Sequence, residues 1–431
     1  MRSLALLLVA SLAVGASAIS APPASTQPGV DPVARAIAAL HERKLPATFA
    51  DIAPALIPDE KNGALDIDEA TFITAEDEGG PSSSNLDFGE ELPYTKEWFD
   101  LARRNATANA EAATLLHLAR IKGGISWPNP PTAPLEQWYK SGLGSFAKDR
   151  QLTNVIRDIT LYQHFNGEEA QAIESLRDLR FLGEATSHKP FLVGQLVSIG
   201  ICAMQAHATQ TVAAGLKVKP AADPEGAAQR AAVKSLIADL LDDAKLRNAY
   251  RRALNEERTG LIEEARGPDS PAAFLARTNL SASIAGYDAL VGMMDKHPWE
   301  AIDVADSAKM PQNIRSLDRF CGVVWREIAL QRMAASALAC ALYRSDHGGY
   351  PPNLAALVPE YLVRIPPDPF ARDGAALRYA IVDNGTRPLI GTVGPDGQPT
   401  EPGLHKKTAY GQYGTMGEPI WLDLSPWKAH Q

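Results

Sequence analysis

Cysteine is scarce in this 431-residue chain, which has only Cys202, Cys321 and Cys340. So few exclude a disulfide scaffold, and an odd number leaves at least one thiol. All three sit in apolar helical stretches, where a small buried hydrophobe belongs. A Cys321–Cys340 bridge would have to span 19 residues of one helix, or about 28 Å. Basic charge is also short: 42 Lys and Arg against 51 Asp and Glu give a formal net charge of −9. That balance lacks the basic footprint of a nucleic-acid binder and does not suit an anionic membrane surface. The catalytic signatures H-E-x-x-H, G-x-S-x-G, the P-loop and C-x-x-C are all missing, which removes the reactions they mark. The nine histidines are scattered. His207, on the most apolar helical stretch, reads as a core histidine.

Long apolar runs are few. MRSLALLLVASLAVGASA opens the chain with Arg2, an apolar run from Leu4 to Val14, and Ala16-Ser17-Ala18. This is the n-region, h-region and small-x-small pattern of a signal peptide, residues 1–18. The run falls short of the ~20 apolar residues of a membrane span, so membrane attachment is expected only if this segment stays uncleaved. The chain is then an exported one, periplasmic or extracellular. Residues 19–30 (ISAPPASTQPGV) have the composition of a disordered linker.

Asp31-Pro32 supplies an N-cap residue and a proline at N1, and helical periodicity follows. Residues 58–93 carry eleven acids against Lys61 alone. Their second half, about 76–93, reads as an exposed acidic loop. Helical patterns cover 94–121, 135–146, 152–165, 168–184 and 190–216, then 227–265 as one helix or two, then 271–295. The stretch 190–216 is interrupted by Gln195, Gln205, His207 and Gln210, so we read it as a buried core helix rather than a membrane span. Residues 31–310 thus form an α-helical body, an irregular array of solenoid-like helix pairs without a fixed-period repeat. Residues 311–405 differ: a long helix over 313–344, a Pro-rich loop, and strands at 377–382 and 388–393 flanking the turn signal Asp383-Asn384-Gly385. The fold class is mainly α, with a small α+β module at the end, and 406–431 forms a C-terminal tail.

ALACALYRSDHGGYPPNLAALVPEYLVRIPPDPFARDGAALRYAI, followed by TVGPDG, resembles the globular end of the major pseudopilin of type II secretion systems. In that family a long helix ends in a Tyr-x-x-Asp/Glu-x-Gly-x-Tyr-Pro-like turn. A Pro-Asp-Pro turn, an aromatic strand and a Gly-x-Asp-Gly loop follow. Tyr343, Asp346, Gly349, Tyr350, Pro351, Pro367, Asp368, Pro369, Tyr379, Gly394, Asp396 and Gly397 fall on the pattern. The likeness spans about 85 residues of the chain. The same tail recurs behind helical bodies in a family of uncharacterised exported bacterial proteins. The body resembles those in PDEKN (58–62), SLRDLRFLGEAT and ALNEER (253–258); that likeness implies no activity. The pseudopilin's own assembly function does not carry over, because the helix over 313–344 bears Arg315, Asp318, Arg319, Arg326, Glu327 and Arg332 and cannot enter a membrane-spanning pilus core. Many pseudopilin relatives hold calcium in the loop after the hairpin. Here Asp396 and Glu401 are the candidate ligands, with Gln398, Pro399 and Thr400 between them, a thin donor set for an ion that takes about six oxygens.

Asp346-His347-Gly348-Gly349 has residue types suited to acid–base or metal chemistry. We read it instead as punctuation. A glycine closes the helix in the left-handed conformation, His347 favours the last-turn carbonyls, and Asp346 caps the Pro-rich turn. Asp368 reads as a turn residue bonding backbone amides. The candidate catalytic residues are Glu256 and Glu257, which with Glu263 and Glu264 share a helix face at i, i+7 spacing; solvated ion pairs are the competing reading. The expected function is an exported, non-enzymatic scaffold or interaction protein with an unknown protein or cell-envelope partner and no nucleic acid. The alternatives are a periplasmic hydrolase or lyase, with Trp98, Trp127 and Trp138 converging on Glu256 and Glu257, and a weak calcium-binding module. Apart from calcium no cofactor is implied.

Overall fold

The computed structural model describes residues 31–75, 94–128, 131–132, 135–298, 300, 314, 317–382, 387–394, 397 and 421–424. The expected signal peptide and linker, the acidic loop 76–93, the Asp383-Asn384-Gly385 turn, Asp396, Glu401 and most of the tail lie outside these residues.

The fold is mainly α. Among the described residues there are eleven α-helices: α1 (Pro32–Glu42), α2 (Gly63–Ile73), α3 (Lys96–Ala108), α4 (Ala110–Lys122), α5 (Leu135–Phe165), α6 (Glu169–Ser187), α7 (Phe191–Gly215), α8 (Pro224–Leu240), α9 (Asp243–Arg266), α10 (Pro271–Met293) and α11 (Asp318–His347). Several starts are set locally. Asp31, Asn62, Asp223 and Ser270 each accept a bond from a first-turn amide, and α1, α8 and α10 place proline in their first turn, where its missing N–H costs nothing.

Two boundaries differ from the sequence expectation, and one that the sequence left open resolves. The stretches 135–146 and 152–165 are one helix, α5, because no glycine or proline interrupts AKDRQ between them. The stretch 94–121 is two helices, α3 and α4, divided at Asn109. Its side-chain oxygen accepts from the Ala75 amide at 2.8 Å and its amide donates to the Asn105 carbonyl at 3.1 Å, so asparagine competes with the helix from inside it. The stretch 227–265 resolves into α8 and α9, parted at Leu241-Asp242. Helix α2 went unread because the acids around it masked a short apolar set, Ala64, Ile67 and Ala70, all buried.

Helix α7 lies at the centre, packed by α5, α6, α9 and α11. By length and composition it is apolar enough to cross a membrane, but two-thirds of its most apolar window is covered by the rest of the fold. Helix α11 packs along α7 and α8. Its Leu330, Leu338 and Leu342 share one apolar cluster with Val212 and Leu236 of the body and with Leu357 and Ile390 beyond it. Strands β1 (Arg378–Val382), β2 (Arg387–Gly391) and β3 (Trp421–Asp423) form an antiparallel sheet in that order. Tyr379 faces Ile390, and Ile390 faces Leu422. Strand β3 comes from the stretch expected to be a tail. None of the three cysteines forms a disulfide, and all three are buried.

Candidate functional site

The stretch after α11 behaves as punctuation, with one change. Gly348 ends the helix at φ 73°, its N–H donating to the Arg344 carbonyl at 2.8 Å. This backbone region disfavours any side chain. Asp346 does not cap the Pro-rich turn. Its carboxylate accepts from the Tyr361 hydroxyl at 2.7 Å and from Arg230 of α8 at 2.8 and 3.0 Å, because α8 brings that guanidinium alongside. Burial works against the charge, but these donors hold the carboxyl below its ordinary range. His347 stacks near Tyr343, ring centres 4.1 Å apart, and lies exposed. Asp368 is buried and accepts from the Phe370 and Val393 amides at 2.9 and 2.7 Å, so it ties the turn to the end of the sheet.

Glu256 and Glu257 are not solvated ion pairs. Helix α7 begins after Pro190, which offers no side-chain acceptor, and its first residue, Phe191, has φ 68°. A bulky residue rarely adopts that conformation. The two open amides of this helix start are met from another helix. The Phe191 N–H donates to Glu256 at 2.8 Å and the Leu192 N–H to Glu257 at 2.9 Å. The α9 face that carries these acids lies across the α7 N-terminus, which is why they are covered rather than hydrated. Glu256 is 7% exposed. Burial pushes both carboxyls up to about 7, outweighing the amide bonds that favour the charge. Glu263 accepts from the Phe49 amide at 3.0 Å, so it too fastens backbone.

The tryptophans of the enzymatic alternative do not converge on these acids. Trp98 is buried among Tyr94, Phe99 and Phe165. Trp127 donates its indole N–H to the Ala185 carbonyl at 2.9 Å. Only Trp138 comes near, edge-on to Phe191 with ring centres 5.1 Å apart.

The connection from α6 to α7 is His188-Lys189-Pro190, between the two helical patterns read from the sequence. Lys189 is buried and its Nζ reaches both oxygens of Asp149 at 2.9 and 2.7 Å. The ammonium also sits 4.3 Å from the Trp127 ring centre, a cation–π contact. Asp149 is fully buried; burial raises its carboxyl, opposed by Lys189. The backbone closes tightly over this pair. A Cβ on Gly194 would stand 2.3 Å from the Lys189 carbonyl oxygen, so only glycine fits in the first turns of α7.

Beside the same connection lies a cleft of about 150 Å³ between α6, α7 and α9. Arg180, Glu184, Ser187, His188, Lys245 and Arg252 supply its polar lining, Leu246 and Ala249 an apolar wall. Lys245 pairs with Glu184 at 3.0 Å. Arg252 donates to the Ser187 carbonyl at 2.7 Å and lies 3.8 Å from Glu256, so the cleft adjoins the capped helix start. Burial, helped by Arg252, pulls His188 down to about 4, leaving the imidazole neutral at pH 7. Sequence reading missed this cleft, although one signal was present. Arg180 falls on the stripe Ile173, Leu176, Arg180, Gly183, all buried in α6, where a cation is out of pattern. Compared with known proteins, the chain matches no family model, no curated protein and no solved structure, so the chemistry of this region rests on its own residues.

Proposed function

We propose that this chain is an exported, non-enzymatic interaction or scaffold protein of the cell envelope: an irregular array of helix pairs with a pseudopilin-like C-terminal module. The observation that carries the choice is the engagement of Glu256 and Glu257. Each has an oxygen bonded to a backbone amide of α7, and the three tryptophans an enzyme groove would need are distributed over separate parts of the core. A general acid must reach the atom it protonates; a carboxyl closing a buried helix start serves architecture. The pseudopilin-like part of the reading is supported by element order: a 30-residue helix, a left-handed glycine, a Pro-rich loop fastened by Asp368, and an antiparallel sheet. The apolar cluster shared by α11, α7 and α8 supports body and module acting as one rigid scaffold.

The test is affinity purification of the tagged full chain from its own envelope fraction, with parallel incubation on envelope polysaccharides. The expected result is a stoichiometric protein partner and no released oligosaccharide. Release of product by the wild type and not by Glu256→Gln overturns the reading in favour of a periplasmic hydrolase or lyase. The calcium alternative at Asp396 and Glu401 is tested by melting with millimolar calcium against chelator; a rise in Tm, lost in Asp396→Asn, supports it.

A further inference from the structure

Helix α2 is apolar on two sides. Ala64, Ile67 and Ala70 are buried, while Leu65 and Phe72, seven residues apart on another face, are exposed, Phe72 by 77%. A helix of that kind is normally enclosed. Helix α4 repeats the pattern, with Ala112, Leu116 and Ala119 buried and Leu118 and Ile121 exposed. Leu56, on the segment leading into α2, is 97% exposed. That segment runs beside the end of α4, since a Cβ on Gly124 would stand 2.9 Å from Ile57 Cδ1. Five of the eight large apolar side chains exposed among the described residues therefore belong to one helix pair and its lead-in, a concentration that scattered surface residues do not give.

The two helices lie antiparallel. The Gly63 N–H at the start of α2 donates to the Gly124 carbonyl just past α4 at 2.8 Å, and the Ala75 N–H just past α2 donates to the Asn109 side chain before α4 at 2.8 Å. Helices α5 and α6 pack beneath the pair. By helical spacing Leu65 and Phe72 form one wall of the outer groove and Leu118 and Ile121 the other, with the half-buried Ile73 and Leu115 between them. The outermost pair of a helical array ordinarily turns a polar face outward, and an apolar groove between two helices is a seat for a third. Charge says which kind of helix. Asp59, Glu60, Glu69 and Glu111 are exposed around the groove without an ion pair among the described residues, against Lys61 as the one cation likewise unpaired. The other nearby bases are engaged: Lys122 by Asp66, Arg120 by Asp178 and Glu174, and Lys148 over the Phe72 ring. A second copy seated here about a two-fold axis would set these acids against themselves.

We propose that the α2–α4 groove is the docking site for a basic amphipathic helix of a partner protein. Its apolar stripe covers Leu65, Phe72, Leu118 and Ile121, and its flanking Lys and Arg meet the four acids. This deepens the interaction reading above and rests on it.

The probe is a synthetic Leu/Lys peptide patterned as an amphipathic helix of about five turns, or roughly 18 residues, titrated onto the purified full chain by fluorescence anisotropy. It binds saturably at one per chain and more weakly as salt is raised; a scrambled peptide of the same composition and a Leu/Glu counterpart do not bind. Phe72→Ser and Ile121→Ser each weaken binding by about tenfold, and Glu69→Lys weakens it a few-fold and flattens the salt dependence. Val363→Ser, which changes an exposed apolar residue outside the groove, leaves it unchanged. Equal binding of the scrambled peptide, or unchanged affinity in both serine variants, overturns the site. So does a dimer of the full chain that these variants dissociate, because the groove then belongs to a second copy. Should a serine variant lose its melting transition, Glu69→Lys decides, and unchanged affinity there counts against the site. Failure of the interaction reading looks different. A partner captured equally by the Phe72→Ser, Ile121→Ser double variant keeps that reading and overturns this surface, whereas peptide binding without any captured partner does the reverse.

Discussion

At the turn after α11, Asp346 and His347 lie at the surface and Tyr350 is half-buried; at the turn after α6, His188 keeps an exposed edge while Lys189 and Phe191 are buried. Local composition marks the first far more strongly, with two glycines and two prolines in six residues. Yet the Asp346 carboxylate stays partly exposed, fastened by Arg230 and by the hydroxyl of the buried Tyr361. The second turn is modest in sequence and chemically dense in space. It holds a buried ion pair, a helix start capped from a distant helix, and a cationic cleft. The difference is dielectric. A charge at the surface is hydrated whatever its neighbours, while a charge in the interior has to be matched group by group.

The comparison breaks most sharply at Lys189 and Asp149. Lys189→Met leaves Asp149 unpaired in the core and lowers stability by about 3–5 kcal/mol, read as a fall in the denaturation midpoint. The double variant Lys189→Met with Asp149→Leu recovers much of that loss. A small effect of the single variant, no larger than at Asp346, would erase the contrast between the turns.

Next in size is a pH effect at the α7 start. Glu256 ionises near 7 in the folded chain against an ordinary value of 4.5. The folded state therefore holds its proton longer than the unfolded one, so this stabilising contribution is full below about 4.5 and is lost as pH rises through 7. Glu256→Gln removes the dependence and keeps an acceptor for the Phe191 amide. The stability difference, variant minus wild type, should rise by about 3 kcal/mol between pH 4.5 and 8. His188, which is pulled down to about 4, acts in the opposite sense between 4 and 6.5 and is common to both proteins. A flat difference, by chemical denaturation at each pH, would show that the carboxyl is ordinary.

At the other turn the effects are smaller. Gly348→Ala forces a side chain into the left-handed region and costs about 1 kcal/mol. Asp346→Asn costs less than about 1 kcal/mol, since the pair with Arg230 is partly exposed. Both are measurable as small shifts in Tm, and a loss at Asp346 comparable to that at Lys189 would contradict the ranking.

The α11 turn was legible because its determinants are adjacent: Gly348 closes a helix, and Asp368 sits two residues from the amide it binds. Even there, Asp346 was assigned to the wrong partner, since Arg230 lies 116 positions away. Glu256 and Glu257 were noticed for their charge and spacing, but their burial was invisible. An α9 rich in Arg and Glu looks solvated until the N-terminus of α7 is laid across it. The fusion of α5 was missed for the converse reason: Asp149 in the middle of an apparent linker looks exposed and is fully buried.

The chain's own sequence determines its mainly helical character, the capped starts of α1, α8 and α10, the antiparallel hairpin, and the buried cysteines without a disulfide. These follow from periodicity, capping and turn chemistry within a few residues, which folding does not override. Only the tertiary structure decided where the charges lie. Asp149, Arg180, Lys189 and Glu256 come from three helices and the α6–α7 turn, and the environment they share exists only once α7 is enclosed. Hydration is a property of the packed whole, so the chemistry of the α6–α9 cleft is written in no single stretch of the sequence.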